Sequence, residues 1–183
     1  MVGKIVNFVL FQITWLASVV GAARGLPWLG PLCLLWFMAW QLAAVDRSLR
    51  ELLLVLTVAI GGMLVDSGYV ASGILTYASP EPSALVAPVW IVGMWANFAL
   101  TLNHSMSWLH NRYVAAAVLG GIGGPLAYWG GERLGAMEFT SSMPAVLGVI
   151  SIVWALATPA MVRLAEYFDR WEPAPLAGAV ERE

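Results

Sequence analysis

Six long apolar runs, separated by short polar or glycine- and proline-containing breaks, are the feature that most restricts the fold of this chain. A helix needs about 20 apolar residues to cross a bilayer, and each run is close to that length. The chain has 183 residues, of which 60% are hydrophobic and 11% are charged. Soluble domains carry about 25% charged residues. The sequence therefore predicts an all-α fold, a polytopic membrane protein with a bundle of six transmembrane helices.

The predicted domain covers residues 1–168, and residues 169–183 form a predicted cytoplasmic tail. The predicted spans are residues 5–23, 28–45, 51–75, 89–109, 113–133 and 143–167. Lysine and arginine are enriched in the cytoplasmic loops of membrane proteins. With the N-terminus in the cytoplasm, only Arg24 and Arg133 lie outside, and the inner side holds Lys4, Arg47, Arg50, Arg112, Arg163, Arg170 and Arg182. We therefore predict a multi-pass protein of the bacterial inner (cytoplasmic) membrane with both termini in the cytoplasm.

Two segments of the chain resemble each other without gaps. Residues 50–77 align with residues 112–139, and this alignment places Gly62 on Gly124 and Gly73 on Gly135. Because the two segments would cross the membrane in the same direction, they indicate a parallel repeat of helix hairpins, which is one origin of transporter folds. Glycine-rich membrane helices also resemble one another through composition alone, since small residues are selected at close helix contacts. Both interpretations stay open.

The fourth run, residues 89–109, carries polar side chains on one face. Asn97, Thr101 and His104 are spaced i, i+4 and i+7, which aligns them along one side of a helix. Lipid cannot satisfy such a face, so it must contact protein or water. We therefore expect these three residues to contribute to the polar end of a ligand pocket. The alternative is that they form hydrogen bonds between helices, which contribute about 0.6 kcal/mol each.

Asp66, in the third run, adds a carboxyl group within the predicted hydrocarbon layer. An ionised carboxylate near the middle of a membrane costs about 2.5–3.5 kcal/mol on insertion scales. Asp66 is therefore expected to be neutral, paired or next to a wet cavity, and we assign it to the predicted pocket. Tyr128, in the fifth run, lies in the same outer layer and is a further candidate ligand-binding residue.

The fifth run is rich in glycine. Gly120 and Gly124 form a GxxxG pattern, which allows a neighbouring helix to approach closely, and Pro125 removes one backbone hydrogen bond. We interpret these three residues as helix-packing positions, with a hinge or a gap for a ligand as the alternative. The sequence contains no metal-binding or catalytic motif, so no metal site is predicted, and catalytic residues and cofactors stay unknown.

Four short segments are similar to a known family. They are NFVLFQ at residues 7–12, GLPWLGP at residues 25–31, Asp66-Ser67, and GGPLAYW at residues 123–129. Together they resemble the proteobacterial inner-membrane family known as domain of unknown function 2878, over nearly the whole chain up to Tyr167. The resemblance implies a small polytopic inner-membrane protein without an established activity. Genes of this family lie beside those of lipid-modifying enzymes, so the resemblance also implies a role linked to lipids.

Three functions are compatible with these features, and whether the protein is an enzyme is left open. The first is that it binds, moves or modifies a hydrophobic small molecule, a lipid or fatty-acyl derivative, so that membrane lipid is its partner. The second is a non-catalytic subunit or scaffold that holds membrane-protein partners. The third is a small proton-coupled transporter in which Asp66 and His104 titrate. The small and scattered net charge of −2 argues against a nucleic-acid partner.

Overall fold

The computed structural model describes residues 2–44 and 48–171, and within these residues the chain forms six α-helices and two short β-strands. The predicted all-α class is therefore confirmed, with one small strand pair added. The helices are α1 (Val2–Ala23), α2 (Leu29–Ala44), α3 (Ser48–Ala71), α4 (Val89–Leu102), α5 (Tyr113–Arg133) and α6 (Met143–Arg170). The strands are β1 (Leu75–Tyr77) and β2 (Met137–Phe139), and a short 3-10 helix covers Ser107–Leu109.

Three helices, α1, α3 and α6, are long and apolar enough to cross a membrane. The outward faces of the bundle carry large apolar side chains, among them Trp36, Leu64 and Ile152, which are each 64–65% exposed. Such a surface is suited to lipid as the solvent. The helices α2 and α4 are also apolar, but they contain only 16 and 14 residues. At 1.5 Å per residue they are shorter than the hydrocarbon layer of a typical bilayer.

The fourth predicted span is wrong in its C-terminal third, because α4 ends at Leu102. The last carbonyl groups of a helix have no partner within the helix. Here the Leu100 carbonyl accepts hydrogen bonds from Asn7 Nδ2 at 2.9 Å and from Gln41 Nε2 at 3.0 Å. Side chains of α1 and α2 thus stabilise the early end of α4, and His104 lies in the following turn instead of on the predicted helical face.

The other boundaries differ less from the prediction. The third span was predicted to reach residue 75, but α3 ends at Ala71, and Gly73 follows with a positive φ of 68°. The sixth helix continues to Arg170, so the first residues of the predicted tail are helical. Residue 45, residues 172–183 of the predicted tail, and the orientation-setting residues Arg47 and Arg182 lie outside the described residues.

The strands β1 and β2 pair in antiparallel fashion, which no pattern in the sequence predicted. Leu75 pairs with Phe139, Thr76 with Glu138 and Tyr77 with Met137. Two further backbone hydrogen bonds flank the pair, from Ala78 N to Ala136 O at 2.9 Å and from Thr140 N to Ile74 O at 3.1 Å. The strand pair therefore joins the chain just after α3 to the chain just after α5.

The ends of α3 and α5 have matching backbone geometry at positions that the sequence alignment placed on each other. Gly135 has a positive φ of 83°, as Gly73 has one of 68°. The Gly73 amide donates to Val70 O at 3.0 Å, and the Gly135 amide donates to Glu132 O at 2.9 Å. Positive φ is a conformation that glycine adopts without strain, so both helices are followed by a glycine that terminates them in the same way.

The same two helices contact their successors through equivalent glycines. A Cβ atom added at Gly62 would lie 1.9 Å from Cγ of Trp95 on α4, and one added at Gly124 would lie 2.3 Å from Cγ of Trp154 on α6. The two indoles stack on each other, with ring centroids 4.6 Å apart and an angle of 16° between the planes. The centre of the bundle is thus a tryptophan pair held between two glycine surfaces.

Close packing of α5 against α6 depends on the GxxxG glycines. A Cβ atom at Gly120 would lie 2.1 Å from Thr158 Oγ1 and 2.3 Å from the Trp154 carbonyl oxygen. Pro125 lies inside α5 and has no N–H for the carbonyl four residues earlier, at Gly121. Ser151 on α6 supplies the missing donor, since its hydroxyl donates to Gly121 O at 2.7 Å. The proline is therefore compatible with an uninterrupted helix because α6 compensates for it.

Candidate functional site

Asp66 lies on α3 in the interior of the bundle, with no exposed surface. Its Oδ1 atom accepts hydrogen bonds from the hydroxyl groups of Tyr77 and Tyr128, the latter at 2.5 Å, and its Oδ2 atom accepts one from Trp95 Nε1 at 2.5 Å. Hydrogen bonds to a carboxylate stabilise its charged form in apolar surroundings. Of the three environments expected for Asp66, the structure therefore provides the paired one, with hydrogen-bond donors as partners.

Tyr77 is the only one of these donors that comes from the strand pair. Its hydroxyl donates a hydrogen bond to the Asp66 carboxylate. Its ring packs edge-on against Trp90, with centroids 5.6 Å apart. The strand β1 thus fixes one side of the Asp66 cluster.

A cavity of about 370 Å³ lies beside this cluster, between α1, α4, α5 and α6. Two members of the Asp66 cluster, Trp95 and Tyr128, also form part of its wall. The remaining aromatic side chains of the wall are Phe11, Trp15, Trp90, Phe98 and Trp154. A space of this size and composition suits a flat or chain-like apolar molecule.

The cavity reaches the outer surface of the bundle between α1 and α5. Four of its lining residues are themselves exposed: Gln12 on α1 and Leu119, Gly123 and Leu126 on α5. Farther along, the two helices lie closer together, since a Cβ atom added at Gly130 would lie 3.5 Å from the Trp15 ring. Gln12 forms no hydrogen bond within the described part of the chain. It therefore presents a free amide at the edge of the cavity.

Two polar atoms in the cavity wall lack a partner. Trp154 Nε1 and Thr158 Oγ1, one helical turn apart on α6, are buried and form no hydrogen bond. The other two deep indoles are satisfied, because Trp90 Nε1 donates to Ala78 O at 3.2 Å and Trp95 Nε1 donates to Asp66. Both side chains pack against α5, since Thr158 Oγ1 lies against Gly120 and the Trp154 side chain lies against Gly124, so neither atom is open to the cavity.

A second polar cluster occupies the other end of the bundle. Glu51, at the start of α3, contacts Gln41 Nε2 at 3.3 Å, Asn103 Nδ2 at 3.2 Å and His104 Nε2 at 3.0 Å. Asn7 donates to Gln41 Oε1 at 3.0 Å and connects α1 to the same cluster. These contacts join the beginning of α1 and α3 to the end of α2 and the turn after α4. The cluster has a structural explanation, because it stabilises the end of α4.

The predicted ligand-binding residues do not converge on one cavity. Tyr128 lines the cavity, and Asp66 contacts two residues of its wall. Asn97 donates to Phe11 O at 3.0 Å, Thr101 donates to Phe98 O at 2.6 Å, and His104 contacts Glu51. Asn97, Thr101 and His104 are absent from the cavity wall, because α4 ends early and turns its polar face to other helices. A ligand-binding role for the five residues stays a prediction.

Sequence reasoning missed Trp154 and Thr158 as site residues. A weak signal was present, since they are four residues apart on α6 and both face the glycines of α5. What the sequence could not indicate is that their polar atoms lack partners. Across residues 2–44 and 48–171, no group of three or more His, Cys, Asp or Glu side chains is placed to hold a metal ion.

Comparisons with known proteins give one match. Residues 4–160 match the model of a family described as "Protein of unknown function (DUF2878)". No curated protein and no solved structure matches the chain.

Proposed function

The chain belongs to the DUF2878 family, and from its structure we propose that it binds a hydrophobic small molecule, a lipid or fatty-acyl derivative, in the aromatic cavity beside Asp66. The observation that carries this proposal is a cavity with aromatic walls that opens between α1 and α5. Such a space is unfavourable when it is empty, because the side chains of its walls lose packing contacts.

The dimensions and the opening of the cavity support a ligand that enters from the bilayer. Its volume of about 370 Å³ falls within the range of about 300–1,000 Å³ that is usual for small-molecule sites. The opening between α1 and α5 is bordered by exposed apolar residues such as Leu126, which is 56% exposed. A lipid can therefore reach the cavity without crossing water, and the Gln12 amide at the edge is available to its polar group.

We further propose that all six helices take part in crossing the inner membrane, with both termini in the cytoplasm. In this arrangement the crossing of α4 is completed by its two flanking segments, residues 72–88 and 103–112, and the pairing of β1 with β2 satisfies part of the backbone of the first segment. Two contacts support a common cytoplasmic end: Lys4 Nζ donates to Ser107 Oγ at 2.7 Å, and Arg50 donates to Asp169 O at 2.7 Å. At the opposite end of the bundle, Arg24 follows α1 and Arg133 is the last residue of α5.

We also propose that α3–β1–α4 and α5–β2–α6 are two copies of a parallel repeat, related by a pseudo-two-fold axis. The support is that a single shift in residue number equates Gly62 with Gly124 and Gly73 with Gly135. The same shift relates the two hydrogen bonds that flank the strand pair to each other. Under this offset Asp66 is equivalent to Tyr128, and the two side chains contact each other. The offset does not extend to the stacked tryptophans, since it would place Trp95 on Ala157.

Native mass spectrometry with lipid analysis, performed on gently solubilised protein, tests the proposed ligand binding. The informative variant is Gly123→Phe, because Gly123 lines the cavity and a Cβ atom there meets no atom within 4 Å. The new ring is accommodated by filling the space that the ligand would occupy. The matched control is Gly61→Phe on α3, where a Cβ atom also meets nothing within 4 Å but which is not part of the cavity wall.

The expected result is a specific lipid that accompanies the wild-type protein and the Gly61→Phe variant and is lost from the Gly123→Phe variant. If all three proteins carry the same unselective mixture of bulk lipids, the proposal is wrong. In that case the scaffold hypothesis gains support, and protein partners become the next object of search.

A further inference from the structure

The exposed Gln12 side chain lies at the opening of the aromatic cavity and at the centre of α1 (Val2–Ala23). At 1.5 Å per residue it is about 15 Å from either end of this helix. The hydrocarbon layer of a bilayer is about 30 Å thick. In the membrane arrangement proposed above, the Gln12 amide therefore lies near the middle of that layer, where lipid chains offer it no hydrogen bond.

The polar groups of the cavity wall that are free to bind a ligand belong to α1. Five other wall residues have polar side-chain atoms that are either hydrogen-bonded within the bundle or covered by α5: Trp90, Trp95, Tyr128, Trp154 and Thr158. Within residues 2–44 and 48–171, neither the Gln12 amide nor Trp15 Nε1, one turn further along α1, forms a hydrogen bond. The interior of the cavity therefore suits hydrocarbon, and the opening suits a polar group.

The charge of the cavity wall restricts this polar group further. None of the described residues that line the cavity has a charged side chain. The Asp66 carboxyl group behind the wall is occupied by its three hydrogen-bond donors and has no exposed surface. The basic residues nearest to Gln12 in the sequence, Lys4 and Arg24, lie at the start of α1 and just after its end. An ionised group at the depth of Gln12 would therefore lack a counter-ion, which is unfavourable in a membrane.

We propose that the cavity binds an uncharged lipid with an O–H group, and that this group exchanges hydrogen bonds with the Gln12 amide at the opening. This inference rests on the proposed function and specifies its ligand. An amide has both donors and an acceptor, and a hydroxyl group or the carboxyl group of a protonated fatty acid uses both. The hydrocarbon part of the ligand then fills the aromatic interior. A phospholipid does not fit, because its headgroup stays at the edge of the hydrocarbon layer and does not reach Gln12.

The test measures saturable binding of tritiated dodecanol to the full-length protein in lipid nanodiscs, after subtraction of the binding to empty nanodiscs. Unlabelled dodecanol, dodecane and dodecyl phosphate are the competitors, and they differ only in having a hydroxyl group, no polar group or a charged group. The quantity of interest is the ratio of their inhibition constants. Comparing this ratio between variants cancels the different partitioning of the probes into lipid. Dodecanoic acid, as a fourth competitor, shows whether an alcohol or a fatty acid binds more tightly.

Gln12→Met is the informative variant, because methionine is similar in length to glutamine but has no amide. Its matched control is Ile13→Met, since Ile13 is the next residue of α1, is 52% exposed and is not part of the cavity wall. We expect the wild-type protein to prefer dodecanol to dodecane, and Gln12→Met to reduce this preference about tenfold, because it removes the hydrogen bonding to the ligand. Ile13→Met keeps the wild-type preference. The fold should tolerate both changes, since neither side chain forms a hydrogen bond in the described part of the bundle.

Several results would overturn this inference while the proposed function stands. They are equal competition by dodecane and dodecanol, equal competition by dodecyl phosphate and dodecanol, and an unchanged preference in Gln12→Met. A specific lipid that accompanies the purified protein while no dodecanol binds would have the same meaning. Native mass spectrometry detects one further alternative: if Gln12→Met separates a dimer without changing the preference, the amide binds a second copy of the chain. If the wild-type protein binds no probe and carries no specific lipid, both the inference and the proposed function are overturned.

Discussion

Replacing Gly120 by alanine tests the close packing of α5 against α6. The added methyl group would lie 2.1 Å from Thr158 Oγ1, 2.3 Å from the Trp154 carbonyl oxygen and 2.7 Å from Thr158 Cβ. The carbonyl belongs to the backbone of α6 and cannot rotate away, so the two helices must separate. Overpacking of this kind destabilises proteins by about 1–3 kcal/mol.

The matched control is Gly123→Ala, three residues further along the same helix. A Cβ atom at Gly123 meets no atom within 4 Å, so alanine there is neutral or stabilises by up to about 1 kcal/mol through its higher helix propensity. The expected difference between the two variants is therefore about 1–4 kcal/mol. Unfolding in mixed detergent micelles, followed by circular dichroism, measures it. If Gly120→Ala is as stable as Gly123→Ala, the described contact between α5 and α6 is wrong.

Three further predictions concern the two polar clusters and the orientation. Asp66→Ala leaves three buried donors without an acceptor and should destabilise the fold by about 3 kcal/mol or more. Asp66→Asn keeps one oxygen and should have a smaller effect in the same unfolding assay. Equal effects of the two substitutions would contradict the described cluster. Asn7→Ala removes one of the side chains that bind Leu100 O and should cost about 1–3 kcal/mol. Thr57→Ala, whose hydroxyl bonds only within its own helix, is its control and should be nearly neutral. A C-terminal green fluorescent protein fusion should fluoresce and an alkaline phosphatase fusion should be inactive, because the C-terminus is expected in the cytoplasm; the reverse result would refute this orientation.

Hydrophobicity was sufficient to predict where most helices begin and end. The bounds of α5 agree with the predicted run, and those of α1 and α6 differ from it by three residues at one end. Hydrophobicity did not predict the end of α4, because the apolar run continues to Leu109 while the helix ends at Leu102. The reason is tertiary: Asn7 and Gln41, distant in sequence, bind the Leu100 carbonyl. A pattern that is read along the chain does not contain such partners.

The candidate site was only partly predictable, because its hydrogen-bond partners are likewise distant in sequence. Asp66 is conspicuous in an apolar run, and a paired carboxyl group was one of the three environments that the sequence left open for it. The sequence did not indicate that these are Tyr77, from a strand that hydropathy cannot detect, and Trp95. His104 does not share a helical face with Asn97 and Thr101, because it lies beyond the end of α4 and contacts Glu51. Predicting a polar face requires knowing where its helix stops.

The antiparallel pairing of β1 with β2 restricts how the bundle can move. The strand pair ties the chain after α3 to the chain after α5, and α5 remains packed along α6. At the opposite end Arg50 on α3 donates to Asp169 O on α6, so α3 is tied to the α5–α6 unit near both of its ends. The hydrogen bond between Tyr128 and Asp66 lies between these two attachments and is protected by both of them.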